Sequence, residues 1–205
     1  MHIPFPLVLL VGASLFLWML TVVIKNFTSG SVVKNYKKIG EIYNANVDYS
    51  KKIGSAKYPV AYGNYRNRDI SIESYTKVEG KNSPNTLIKV ACNNPSNLTL
   101  SLKKKSKNTL NYSVSTGDSE FDDAFVMQTN NPELAVHILD YTIKFKLLQA
   151  ANLGFRGELL LNGNTMSYNE PGLIKKDSSL LRIELLLHVL SDMADDLAKA
   201  DLLQA

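Results

Sequence analysis

Basic residues are missing from the start of this chain: the first Lys or Arg is Lys25. A cleaved secretory signal opens on a basic stretch and closes on a small-x-small site. Met1-His2 supplies no such opening, and KNFTSGSVV after Ile24 no such site. Cysteine is almost absent too. Cys92 stands alone, which excludes an intramolecular disulfide and agrees with a reducing compartment. Histidine is scarce, and His2, His137 and His188 fall in separate segments. Gly63 alone and the pair Gly154 and Gly157 are too sparse for a phosphate-cradling loop. HExxH, CxxC, GxSxG and the P-loop are all missing. The sequence therefore points to no catalytic residue and no cofactor.

What stands in place of early charge is a long apolar run. Ile3 to Ile24 holds no charged residue, and 22 helical residues span roughly 33 Å, enough for a hydrocarbon core. Residues 1–25 are read as a transmembrane anchor. Pro4 and Pro6 sit where a first helical turn leaves its donors unpaired in any case. Lys25, Lys34, Lys37, Lys38, Lys51, Lys52 and Lys57 follow the run, against Glu41 and Asp48. The positive-inside rule then places the short N-terminus outside and the rest in the cytoplasm. The sequons at Asn26, Asn97 and Asn111 are chance matches on that side of a membrane.

The formal net charge of +4 belongs to this juxtamembrane region, and the rest of the chain is close to neutral. A nucleic-acid binder would carry its basic excess on the folded domain, so nucleic acid is excluded as a partner. Residues 26–57 are read as a basic stalk, with Lys25, Lys34, Lys37, Lys38, Lys51 and Lys52 against anionic headgroups. Val32, Val33, Tyr36, Ile39, Ile42 and Tyr43, spaced by three and four, suggest a short amphipathic helix in it.

Residues 58–205 suffice for one domain. From Tyr58 the apolar period is two: Ile70 and Ile72; Leu98, Leu100 and Leu102; Leu110, Tyr112 and Val114. The class expected is α+β. After the transmembrane helix come an antiparallel meander of about five to six strands, a helix, a β-hairpin and a C-terminal amphipathic helix. Asn130/Asn131-Pro132-Glu133 starts the first helix, which is expected to run unbroken to Asn152-Leu153-Gly154. Asn162-Gly163 matches a type I′ hairpin turn. The last helix buries Ile183, Leu186, Leu187, Leu190, Met193, Ala194 and Leu197, with Arg182, Glu184, Asp192, Asp195 and Lys199 as polar counterparts.

The densest polar cluster is Thr116-Gly117-Asp118-Ser119-Glu120-Phe121-Asp122-Asp123. Asp118, Glu120, Asp122 and Asp123 are the candidate metal ligands. Asp123 and Thr129 stand where a calcium loop needs Gly and Glu, so EF-hand geometry is excluded. The competing reading is a turn that sends Phe121 and Phe125 into the core.

Gly117-Asp118-x-x-Phe121-Asp122-x-x-Phe125, then NPELA opening a helix, then GELLLNGNTMSY and a Leu-rich closing helix resemble a pattern in uncharacterised bacterial single-pass membrane-anchored proteins. The resemblance runs from about Gly63 to Leu197. It implies a bacterial inner or thylakoid-type membrane and no particular activity. The function expected is that of a non-enzymatic, membrane-anchored accessory or scaffold protein whose cytoplasmic domain binds a protein partner or membrane complex. The alternative is a tethered ligand-binding or divalent-ion-dependent protein or enzyme using the acidic loop.

Overall fold

Tyr36, Ile39 and Tyr43, with Val32, recur every three or four residues along a helix, α1, that covers residues 30–43, and all four are buried. A stripe of that spacing forms one helical face, and here the face is sunk in the main core. The structure, a computed structural model, describes residues 14–18, 30–50, 52–53, 56–76, 84–106 and 113–204. The expected anchor lies outside the described residues except for 14–18, which are helical. Among the described residues no helix is long and apolar enough to cross a membrane. The segment read as a stalk divides differently: α1 and the first strand, β1 (Asn46–Asp48), are built into the domain. Beyond β1, Lys52–Ile53 (β2) and Ala56–Lys57 (β3) form a small separate ribbon.

Among the described residues the main sheet has eight antiparallel strands, more than the five to six expected from alternation. They are β1, β4 (Val60–Tyr65), β5 (Arg68–Thr76), β6 (Pro84–Ala91), β7 (Leu100–Lys104), β8 (Phe125–Thr129), β9 (Glu158–Asn162) and β10 (Thr165–Pro171). Their spatial order is β1-β4-β5-β6-β10-β9-β7-β8. The expected meander is thus interrupted: the β9–β10 hairpin inserts between β6 and β7. The stretch expected as a strand around Leu110–Val114 lies outside the described residues up to 112, and Ser113–Thr116 is irregular.

Register lines the inward side chains into rows. Ile70, Val90, Met166, Leu161 and Leu100 stand abreast, and Ile72, Ile88, Tyr168, Leu159, Leu102 and Met127 form the next row. All are buried. The helices cover this face: α1, α2 (Ser119–Ala124), α3 (Pro132–Ile138), α4 (Tyr141–Asn152) and α5 (Asp177–Gln204). The opposite face carries Tyr62 and the ion pairs Lys89–Glu73 and Lys103–Glu158.

Two local expectations change. The helix from Pro132 is two helices, because the Asp140 side chain accepts from Ile143 N at 2.7 Å and caps a new start. The second hairpin turns on Gly163 and Asn164, with positive φ at Gly163 and not at Asn164, which fits a type II′ turn. The first hairpin, at Arg66-Asn67, is the one with positive φ at both central residues.

Candidate functional site

The acidic loop is built as a turn and a helix cap. Asp118 accepts from Phe121 N at 3.2 Å and pairs with Lys144 at 3.4 Å. Asp122 reaches back to Thr116, accepting from its backbone N at 3.0 Å and its Oγ1 at 2.8 Å, and from Ser115 Oγ at 2.6 Å. Burial pushes the Asp122 carboxyl up, but these hydrogen bonds outweigh it and hold the group below its ordinary value. Asp123 lies at the surface beside Lys105, at 3.5 Å. Glu120 is exposed on α2. Among the described residues no three His, Cys, Asp or Glu side chains stand together as a metal site. The loop's apolar residues turn inward: Phe121 stacks on Phe125 with centroids 5.0 Å apart. The chain of rings continues through Phe155 to Tyr168.

The basic candidates scatter. Lys25 and Lys51 lie outside the described residues, and Lys52 is in the ribbon. Lys34 is exposed; Lys37 pairs with Glu41 at 3.9 Å and Lys38 with Asp177 at 3.7 Å. His188 is part-buried between two tyrosines, at 3.0 Å from Tyr65 Oη and 3.4 Å from Tyr43 Oη. Burial first, then nearby Arg66, lowers its pKa and favours the neutral ring. Beside it Asp192 accepts from Arg66 and Lys146, each at 2.6 Å, tying the β4–β5 turn, α4 and α5 together. Burial pushes the Cys92 thiol up to about 11, which makes it a poor nucleophile.

A second polar centre is not among the sites expected from the sequence. The third inward row of the sheet is Ser74, Thr86 and Glu170, polar yet buried. Each has a partner: Ser74 Oγ lies 3.1 Å from Tyr36 Oη, and Thr86 Oγ1 donates to Gly172 O at 2.8 Å. Glu170 accepts from Tyr168 Oη at 2.8 Å and takes both Nε and Nη2 of Arg182, at 2.9 and 2.7 Å. Arg182, read from the helical pattern as a solvent-side residue, is only 4% exposed. Its Nη1 donates to Leu153 O at 2.6 Å. Burial opposes the guanidinium charge, but the hydrogen bonds to Glu170 outweigh it and raise its pKa.

Above this pair lies an open cleft of about 630 Å³. Arg156, Lys175, Lys176 and Arg182 line it, together with Ser178 and Ser179 of α5 and the two glycines Gly154 and Gly172; among the described residues no carboxylate does. Gly172 sits at φ +101, and a Cβ there would stand 2.8 Å from Arg156 Nη2. The signals available were the Lys175-Lys176 pair and an acid-Pro-Gly step ahead of a long helix.

An exposed aromatic pair lies on α4. Tyr141 is 76% and Phe145 50% exposed, and their rings stack at 6.4 Å and 18°. Leu15, Phe16, Leu17 and Trp18, in the helical stretch 14–18, are likewise exposed.

No protein-family model matches the chain, and no curated protein matches it in sequence. Among solved structures it is similar to the crystal structure of the mycobacterial trehalose monomycolate transport factor A, TtfA, at 12% identity and a TM-score of 0.49. The similarity covers 78% of this chain and 95% of that one.

Proposed function

We propose that the protein is a single-pass, membrane-anchored accessory or scaffold protein whose domain binds a protein partner. The setting is a bacterial inner or thylakoid-type membrane, with the N-terminus outside and the domain in the cytoplasm. The uncharged run from Ile3 to Ile24 supports the tether, as do four consecutive large apolar side chains exposed at residues 15–18. Lys25, Lys34, Lys37, Lys38, Lys51 and Lys52 remain the proposed contacts to anionic headgroups.

The observation that carries the partner reading is the Tyr141–Phe145 pair. Large rings held against each other one helical turn apart are costly to leave in water, and they lose little entropy when another surface covers them. The partner we infer is a membrane-resident protein with an apolar groove for the two rings. The acidic-loop alternative has no comparable support, since Asp118, Asp122 and Asp123 are committed to separate partners within the chain.

A photo-crosslinking residue at position 145, in the full-length chain in its native membrane, is expected to give a discrete protein adduct. The same residue at position 89, on the open face of the sheet, is expected to give none. Adducts at 89 alone, or at neither site, would contradict the partner reading.

A further inference from the structure

Two arginines and two lysines converge on one cleft, and among the described residues only Arg182 has an acid partner there. Among the described residues no carboxylate lies in ion-pair contact with Arg156, Lys175 or Lys176. Glu170 offsets Arg182, and Asp177, next in sequence, is turned toward Lys38 on α1. Among the described residues the cleft therefore holds three cations without an acid partner, around an arginine floor. Such a cluster repels itself unless an anion enters.

The backbone is shaped to bring these groups together. Gly172 has a φ of +101, in the left-handed region, and has no Cβ where one would meet Arg156 Nη2. Gly154, at φ +86, lies beside Arg182 Nη1 in the same way, with ordinary contact distance for a Cβ. Arg182 uses Nε, Nη1 and Nη2 once each in bonds within the chain. A guanidinium has five N–H donors, so two remain. A planar guanidinium and flexible ammonium groups around one concavity suit tetrahedral oxyanions, above all phosphate. The volume is that of a small-ligand site.

We propose that this cleft binds a phosphate group, carried either by an anionic lipid headgroup or by a soluble phosphate compound. The position favours the lipid, a point that rests on the membrane-tether reading above. Asn35 Nδ2 donates to Ile174 O at 3.0 Å, Lys38 meets Asp177, and Tyr43 meets His188. The helices α1 and α5 therefore run in the same direction, and the first described residues of α1 lie toward the cleft end of the domain. Asn35 is five residues from Gly30, roughly 8 Å along a helix. The apolar run thus joins the domain at the end where the cations lie.

The experiment uses the full-length chain, with Arg156, Lys175 and Lys176 changed together to Gln. A control variant changes Lys89 and Lys103 to Gln on the open face of the sheet. Inorganic phosphate is titrated by calorimetry against protein in an uncharged detergent. Binding to nanodiscs is then compared between pure phosphatidylcholine and a mixture with phosphatidic acid, read as hydrogen-exchange protection at 171–180.

Saturable phosphate binding is expected, weakened at least about tenfold in the cleft variant and little in the control. Protection that appears only with phosphatidic acid, and that the cleft variant loses, assigns the lipid source. Protection independent of lipid, with phosphate binding retained, assigns the soluble source and leaves both the cleft and the tether standing. Absence of saturable binding, or equal weakening in both variants, would overturn the proposal.

Discussion

Arg182 and Glu170 form a buried two-bond ion pair, 4% and 1% exposed, that locks the long C-terminal helix to the last strand of the sheet. Glu170 ends the polar row of the sheet, and Arg182 carries the contact on to Leu153 O at the end of α4. One side chain on α5 thus holds three separate segments.

Breaking this pair from one side leaves a buried charge. Glu170→Ala is expected to cost about 3–5 kcal/mol in urea unfolding. Glu170→Leu combined with Arg182→Met should recover part of that loss, because no charge is then stranded. Recovery will be incomplete, since Leu153 O and Tyr168 Oη both lose a partner. A cost under about 1 kcal/mol for Glu170→Ala would show that the pair is hydrated.

The acidic loop gives a contrast between neighbours. Asp122→Asn should cost about 1–2 kcal/mol, because Asp122 accepts from Ser115 and Thr116, whereas Asp123→Asn should cost little. The folded-state Asp122 carboxyl is held below its ordinary value. Its contribution is therefore fully present above about pH 4 and is lost as pH falls through the lower folded-state value. The stability gap between wild type and Asp122→Asn should close on acidification. A gap that instead widens at low pH would contradict this account.

Phe121→Ala should cost about 3–5 kcal/mol, since the ring is fully buried and stacked on Phe125. Calcium or magnesium should leave the melting temperature of the wild-type chain unchanged. A rise with either ion that Asp122→Asn abolished would restore the metal reading.

Much of the sheet is legible because alternation is a local signal. Ile70 and Ile72 or Leu100 and Leu102 declare a half-buried strand on their own. Strand order is not local. The β9–β10 hairpin pairs with β6 across more than 70 residues, and loop closure over such distances costs too little more than over short ones to leave a sequence mark. Three-residue β1 is too short to show a period. On α1 the stripe of Tyr36, Ile39 and Tyr43 is plain, but a stripe does not say what covers it, so a core helix reads as a stalk. Arg182 fails for a related reason. A charged residue in a helical pattern reads as solvent-facing, and only the register of β10 brings Glu170 to meet it. The cleft above the pair is hidden with it.

Topology follows from the charge flanking the apolar run. An alkaline phosphatase fused after Ala205 should be inactive in a bacterium, because Lys25, Lys34, Lys37 and Lys38 follow the apolar run. High phosphatase activity would place the domain on the other side.

The tether is the premise on which partner, orientation and lipid source all rest, and one fractionation tests it. Membranes from cells expressing the full-length chain are washed in alkaline carbonate, which strips proteins held by surface charge and leaves those that span the bilayer. The account predicts that the chain stays in the membrane pellet, and that a version starting at Gly30 leaves with the wash. Release of the full-length chain into the wash would contradict a membrane-spanning anchor.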